Sequence, residues 1–512
     1  MIEKSSFIVC LLLSFRYLEK HQPVLDELKD VQPPRDPEKV WELLCAHPVH
    51  VFQLVRRLKF FEEKINPLLT SESEYFVPIK NLMKPVVWPT DEDFKGAIHG
   101  LLRVQYTYHL DIVALAKGQI GNRNTSAKLF SDDCFDLAKE RLYGNNPLQI
   151  TGGVDYAVAI EWAEASLELA EEQNGEDIAT MDKIKNLITY AKKQHDEHFI
   201  PPTPGDGWST YPNEHFFIRK FNNDFSLTGK KLREEEWEQF QHRYSSGLPM
   251  LHDHIRDYHT VCRGEKLMFK NQRAFQGYCE LRTNNDPWLM LAPAKTEIMS
   301  EGEFPLFLFH NVVSDTEIDY MVKTASKQLQ RAGLTLFDQT TGTPKTTFTS
   351  ERTQSYAWLN WDNNSNHLKN IAKRLDRITG LHVHNEDHEI IHSEGFQIGV
   401  YAPGGLFLPH YDAFTTLDQY ARTHNGTWVG NRIATGMFYL SDLDGGATAF
   451  PIQGLATFPS KGSMAFWYNL ETSGRRSESS LHGACPTLYG IKWVSNKWIR
   501  EGSQVFTRPC TQ

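Results

Sequence analysis

The periodicity of this chain changes once, near residue 303, and no single layer architecture accommodates both halves. Before that point apolar side chains recur every three and four residues, the spacing of one helix face. Tyr156, Ile160, Ala163, Leu167 and Ala170 form one stripe, and Ile184, Leu187, Ile188 and Ala191 form another. Ser131-Asp-Asp ahead of Cys134 supplies a helix start, with an end expected near Gly144. Beyond 303 the texture is that of strands, at residues 304–309, 396–401, 432–440, 463–468 and 491–499. Between the first two, Ser314-Asp-Thr-Glu317 predicts a capping box opening a helix that runs to about Leu329. The C-terminal part thus reads as an α-buttressed β-sandwich or jelly roll behind a helical half.

With 512 residues the chain is too long for one small core. Its charge of −10, with no basic stripe, argues against a nucleic-acid partner. The apolar run at residues 7–15 is far shorter than the roughly 20 residues a spanning helix needs, so no transmembrane segment is expected. That run fits either the apolar core of a secretory signal or an apolar helix face. The Pro201 to Pro212 stretch, rich in proline and glycine, reads as a loop. Seven cysteines are too few for a disulfide scaffold and none forms a CxxC. Cys262 with Cys279, and Cys485 with Cys510, are spaced to close short loops in an oxidising compartment. Sequons at Asn124, Asn363 and Asn425 fit a secretory route, although several arise by chance in a chain of this length.

Three stretches offer metal-ligating side chains, and local geometry separates them. His109-Leu-Asp111 lies in a run, 94 to 116, that reads as helix, where residues two apart point to nearly opposite sides. His388-Glu-Ile-Ile-His392 matches the HExxH pattern of zinc proteases, which requires a helix. Its flanks, Asn385-Glu-Asp and Ser393-Glu-Gly395, leave little room for one. His410-Tyr-Asp412 follows Pro409 at the mouth of a strand pair, and in extended chain residues two apart project to one face. With His482 from a later strand it forms two histidines and one carboxylate, the facial triad that leaves coordination positions open on non-haem Fe(II). Ten residues on, Lys492 shares a strand face with Val494, Asn496 and Trp498. If that face is interior, Lys492 requires a paired anion, which a substrate carboxylate would supply; otherwise it is a partly exposed strand lysine.

The ordered segments Tyr401-Ala-Pro-Gly-Gly-Leu-Phe-Leu-Pro-His-Tyr-Asp412, Gly430-Asn-Arg-Ile-Ala-Thr435, Gly445-Gly-Ala-Thr-Ala-Phe-Pro451, Phe466-Trp-Tyr-Asn-Leu470, His482-Gly-Ala-Cys-Pro486 and Lys492-Trp-Val-Ser-Asn-Lys-Trp498 resemble the α subunits of collagen prolyl 4-hydroxylase, within the Fe(II)/2-oxoglutarate dioxygenases. The resemblance is close from about 255 to 512 and looser across the helical half. It implies that His410, Asp412 and His482 bind iron, that Lys492 pairs with the distal carboxylate of 2-oxoglutarate, and that the hydroxyls of Tyr401 and Thr435 support that carboxylate. The implied reaction uses O2 and 2-oxoglutarate to hydroxylate C4 of proline in Xaa-Pro-Gly sequences of procollagen-like chains, releasing succinate and CO2, with ascorbate restoring the iron after uncoupled cycles.

The resemblance also implies disulfides Cys262–Cys279 and Cys485–Cys510, and protein disulfide isomerase as β subunit of an α2β2 tetramer that it retains in the endoplasmic reticulum lumen. The expected organisation is a short N-terminal segment (1–35), a helical dimerisation-type domain (36–120), a tetratricopeptide-like peptide-binding module (121–250), a linker holding the Cys262/Cys279 pair (251–300) and a double-stranded β-helix catalytic domain (301–512). Phe135, Tyr156, Trp162 and Tyr190 could line a peptide groove, although the last helical hairpin is replaced by the Pro201 to Pro212 loop. A catalytically idle paralogue that binds proline-rich peptides, the HExxH protease and a lysyl hydroxylase are the competing readings.

Overall fold

The computed structural model describes residues 45–69, 88–143, 156–172, 178–198, 257–265, 277–337, 344–347, 352–360, 366–385, 391–414, 423–424 and 427–509. Two compact units result: residues 49–253 with 1–40, and residues 254–512 with 41–48.

The first unit is helical among its described residues, with α1 (Pro48–Leu69), α2 (Asp91–Thr107), α3 (Ser131–Tyr143), α4 (Tyr156–Glu172) and α5 (Ile178–His198). A reciprocal capping box between Thr90 and Asp93 starts α2, whose first turn carries Asp91, Glu92 and Asp93 against the positive end of the helix dipole. α3 begins at Ser131 as its sequence predicts. The stripe expected on α4 is rotated. Ile160 and Ala163 are buried, but so are Val158, Ala159, Trp162, Ala165 and Leu169, whereas Tyr156, Leu167 and Ala170 are half-buried. The cause is a polar clasp: Ser131 Oγ donates to the Ser166 carbonyl and Ser166 Oγ to the Ser131 carbonyl, both at 2.8 Å, which turns the Ser166 side of α4 onto α3. On α5, Ile184, Leu187, Ile188 and Ala191 are all buried, as their spacing predicts.

The helix expected through residues 94–116 is interrupted. α2 ends at Thr107, His109 adopts φ 50°, and Asp111 caps a separate short helix, Ile112–Ala116, by accepting from the Ala114 amide at 2.8 Å.

The second unit is strand-rich. In chain order its main strands are β1 (Tyr278–Arg282), β2 (Ala294–Ser300), β3 (Leu306–His310), β4 (Gln330–Arg331), β5 (Ser355–Leu359), β6 (Phe396–Tyr401), β7 (Phe407–His410), β8 (Arg432–Tyr439), β9 (Thr448–Phe450), β10 (Leu455–Thr457), β11 (Met464–Tyr468), β12 (His482–Ala484) and β13 (Lys492–Arg500). Nine of them form one antiparallel sheet in the order β1-β2-β3-β11-β8-β13-β6-β5-β4, and four form a smaller sheet in the order β7-β12-β9-β10. β1 and β2 occupy the stretch expected to be linker. Alternate burial of Ala294, Thr296, Ile298 and Ser300 draws it onto the sheet edge.

Two helices, α6 (Asp315–Ala325) and α7 (Asn366–Thr379), cover one face of the large sheet. α6 opens with the predicted box: Ser314 Oγ accepts from the Glu317 amide, while the Glu317 carboxylate accepts from the Ser314 amide at 2.9 Å. It ends at Ala325, four residues before the expected limit. Ile318, Met321, Leu368, Ile371 and Leu375 from these helices pack with Phe396, Ile398, Phe438 and Phe466 from the sheet. Burying each such side chain contributes about 1.5–3 kcal/mol. The other face packs on the small sheet: Tyr401, Met437, Tyr439, Trp467 and Val494 meet Phe450 and Ala484. Strand alternation accounts for this, since Phe438 points to the helices while its neighbours Met437 and Tyr439 point to the small sheet.

Cys262 is joined to Cys485, not to Cys279. The helical turn at 257–262 lies against the end of β12, where Tyr258 donates its hydroxyl to the Ala484 carbonyl at 2.6 Å. This contact brings the two Cα atoms to 5.6 Å, within reach of a bridge. Cys279 is an exposed free thiol on β1, so neither implied pairing is formed; Cys510 lies outside the described residues. Outside them too lie the Pro201 to Pro212 loop, Asn363, Asn425 and most of the HExxH stretch. Among the described residues no helix is long and apolar enough to cross a membrane.

Candidate metal centre

Antiparallel pairing of β7 with β12 makes His410 and His482 direct cross-strand partners, although they lie 72 positions apart in the chain. Asp412 follows two residues after His410. The ligand atoms of His410, Asp412 and His482 lie within 4.8 Å of one another, the one such group among the described residues. His410 Nε2 is 3.9 Å from Asp412 Oδ1, and His482 Nε2 is 3.6 Å from Asp412 Oδ2. Asp412 and His482 are buried, while the His410 side chain is 25% exposed, which leaves one side of the site open. His109 and Asp111 form no such group: the first sits at a helix break and the second is an N-cap.

Both imidazoles are oriented from behind. The Leu408 carbonyl accepts from His410 Nδ1 at 2.8 Å and the Ser480 carbonyl from His482 Nδ1 at 2.9 Å, so each ring places its Nε2 lone pair toward the centre. Burial, reinforced by the neighbouring His482, pushes His410 down to about 3, keeping it a neutral imidazole. Burial works against the Asp412 carboxylate, but its electrostatic interactions with the neighbouring His482, His410 and Arg432 outweigh it and hold the group below its usual range. His410 therefore offers a neutral imidazole and Asp412 an ionised carboxylate, the forms a divalent metal requires. Two imidazole nitrogens and one carboxylate on one face fit a non-haem iron.

Thr435, expected to support the co-substrate carboxylate, bonds to a ligand of the centre. On β8 it stands opposite Trp467 of β11 and Trp498 of β13, and this register aims its hydroxyl at Asp412 Oδ2, 2.7 Å away. Behind it Asn469 Nδ2 donates to Thr435 Oγ1 at 2.8 Å, and Trp467 Nε1 donates to Asn469 Oδ1 at 2.9 Å. Each donor in this chain fixes the next, ending on the carboxylate. Asn469 and Trp467 stood inside the Phe466–Leu470 segment without a role, because a polar relay has no fixed spacing in sequence.

Lys492 is fully buried, and burial alone lowers its ammonium to about 7. It is the cross-strand partner of Tyr401, with Nζ 5.3 Å from that ring and 3.4 Å from the Ala447 carbonyl. Burial pushes the Tyr401 phenol up, so it stays protonated. Phe407 stacks on the His410 ring at 3.6 Å, and Arg352 lies 4.6 Å over Phe407. Arg432, which the sequence held only as part of a segment, clasps Glu394 through Nε (2.6 Å) and Nη2 (2.8 Å) and covers Trp498 at 3.7 Å.

In the helical unit, Trp162 is fully buried and belongs to the core rather than to a groove. Phe135 and Tyr156 are half-buried, and Tyr190, 44% exposed, stacks on Tyr143, 59% exposed, at 5.9 Å.

Residues 16–122 match the family described as Prolyl 4-Hydroxylase alpha-subunit, N-terminal region, and residues 396–500 match the 2OG-Fe(II) oxygenase superfamily. The chain is 33% identical to prolyl 4-hydroxylase subunit alpha-1 of Homo sapiens, across 93% of its own length and 86% of the relative's. It is 33% identical to the Gallus gallus alpha-1 subunit across 96% and 92%, and 30% identical to the Caenorhabditis elegans alpha-2 subunit across 97% and 89%.

Proposed function

This chain belongs to the prolyl 4-hydroxylase alpha-subunit family, and we propose that it hydroxylates C4 of proline in Xaa-Pro-Gly repeats of procollagen-like chains. It is a prolyl hydroxylase of the Fe(II)/2-oxoglutarate class. The observation that carries the reading is the convergence of His410, Asp412 and His482 within 4.8 Å, with both imidazoles turned Nε2-inward by backbone carbonyls. A competing idle paralogue would have no need to keep that donor set oriented and accessible on one side.

When bound, Fe(II) supplies the oxidative decarboxylation of 2-oxoglutarate by O2 and delivers one oxygen atom to the proline C–H. The protein's own contribution is placement. His410, Asp412 and His482 would hold the metal on one face. Lys492, buried without a carboxylate partner among the described residues, would receive the distal carboxylate of 2-oxoglutarate, with Tyr401 at its side. Thr435 acts one step back, by holding Asp412. Ascorbate would re-reduce the metal after turnovers without peptide. We read the two packed sheets as the double-stranded β-helix of these oxygenases, and α3–α5 as the tetratricopeptide-like module, whose exposed Tyr143–Tyr190 pair suits a proline-rich chain in extended polyproline II form.

A buried disulfide supports an oxidising compartment, and we place the enzyme in the endoplasmic reticulum lumen with protein disulfide isomerase as β subunit of an α2β2 assembly. Asn124, exposed, would be available for glycosylation there. The test is succinate release by the chain co-expressed with protein disulfide isomerase, given Fe(II), 2-oxoglutarate and a Pro-Pro-Gly repeat peptide, beside His410→Ala. Peptide-stimulated turnover that disappears in the variant supports the reading. Succinate release that the peptide does not stimulate sinks the substrate assignment.

A further inference from the structure

Gln354, one residue ahead of β5, is only 5% exposed and lies between Arg352 and Tyr401. A guanidinium only donates. Arg352 Nε and Nη2 stand 2.8 and 2.6 Å from one end of the Gln354 amide, which must therefore be its oxygen. The NH2 end then faces the Tyr401 hydroxyl at 2.5 Å and donates to it. A phenol oxygen that accepts in this direction keeps its own proton for another acceptor. Among the described residues no hydrogen bond uses that proton. Tyr401 is also the cross-strand partner of Lys492, whose ammonium lies 5.3 Å from its ring. The phenol and the ammonium are thus two buried donors on neighbouring strands, and one anion beside them satisfies both.

We propose that Gln354 is a positioning residue: anchored by Arg352, it fixes the Tyr401 proton in the direction of the co-substrate carboxylate that Lys492 pairs with. This inference rests on the assignment of Lys492 and Tyr401 to 2-oxoglutarate. Gly399 makes room for it. A Cβ there would come 3.0 Å from the Gln354 amide and 3.3 Å from Val494, so a larger residue would displace the amide.

The test measures 2-oxoglutarate binding calorimetrically to the assembled protein loaded with Mn(II), for the parent, Gln354→Glu, Gln354→Met, Tyr401→Phe, Lys492→Ala and the Gln354/Tyr401 double variants. Gln354→Glu keeps the Arg352 link but accepts the Tyr401 proton, turning it away from the pocket. It and Gln354→Met should each weaken binding about tenfold, the usual worth of a hydrogen bond to a charged group. In the Tyr401→Phe background neither should add anything, because a residue acting through Tyr401 has nothing left to act on. Mn(II) occupancy is measured alongside, and Gly399→Ala replaces any Gln354 variant that no longer holds the metal. Parent-like affinity in Gln354→Glu, or a loss that persists in the Tyr401→Phe background, overturns the inference. If Lys492→Ala binds 2-oxoglutarate normally, the co-substrate assignment itself fails and the inference falls with it. If Lys492→Ala loses binding while the Gln354 variants keep it, only the inference fails.

Discussion

Thr435 donates its hydroxyl proton to Asp412 Oδ2 across 2.7 Å, and both groups are buried. The carboxylate is thereby held by a side chain from the large sheet, whereas both histidines sit on the small one. Thr435→Val removes the donor at nearly constant volume and strands the Asn469 amide that bonds to it. Metal affinity should fall about 10- to 100-fold, the usual consequence of losing a group that orients a ligand, and Thr435→Ser should restore it. Mn(II) titration of the two variants checks this. A raised KM for 2-oxoglutarate with unchanged metal affinity would return Thr435 to the carboxylate pocket.

Lys492 makes co-substrate binding depend on pH. Its ammonium titrates near 7 because burial penalises the charge. A dianion binds the protonated form, so below that value binding needs no proton. Above it each binding event takes one up, and affinity declines about tenfold per pH unit. Calorimetry at pH 6 and pH 8, in buffers of different ionisation enthalpy, should show proton uptake only at the higher pH. Equal uptake at both would mean that the lysine is already charged in the empty pocket.

The Cys262–Cys485 bridge spans 223 residues and ends three positions after His482. It shares a cluster with Tyr258, Val261, Ala447 and Ala449. Cys262→Ser should lower stability by about 2–5 kcal/mol. It should also weaken metal binding, because the bridge ties the end of β12 to the turn at 257–262. The Tyr258 hydroxyl on the Ala484 carbonyl ties the same two segments, so Tyr258→Phe should cost about 1 kcal/mol. Peptide mapping without reductant tests the pairing directly. A Cys262–Cys279 peptide in place of Cys262–Cys485 would contradict it.

What the sequence showed of the centre depended on how local the geometry was. His410 and Asp412 could be read because an extended chain fixes where residues two apart project, and Ser314 with Glu317 because a capping box has fixed spacing. Thr435, Asn469 and Gln354 could not. Their partners are set by strand register across the sheets, and no local pattern encodes which hydroxyl faces which carboxylate. The same reasoning covers the cysteines, whose pairing follows from where the turn at 257–262 packs rather than from loop length. On α4 the apolar spacing located a buried face to within one residue's rotation, and the Ser131–Ser166 clasp decided the remainder.

The reading of α3–α5 as a peptide-binding module makes the stacked Tyr143 and Tyr190 a testable contact. Both rings are exposed and 29° from parallel, and burial, reinforced by the neighbouring Tyr190, raises the Tyr156 phenol. An open aromatic surface of this kind binds proline rings through their flat faces, and a repeat peptide presents such a ring at every turn. Tyr190→Ala should raise KM for a long Pro-Pro-Gly polymer roughly three- to tenfold, the range expected for one lost aromatic contact. Its kcat should not change, nor its KM for a single-repeat peptide. Steady-state kinetics with peptides of graded length makes the comparison. An equal rise for short and long peptides would show that the substitution acts on the catalytic unit, and would remove the helical module from substrate binding.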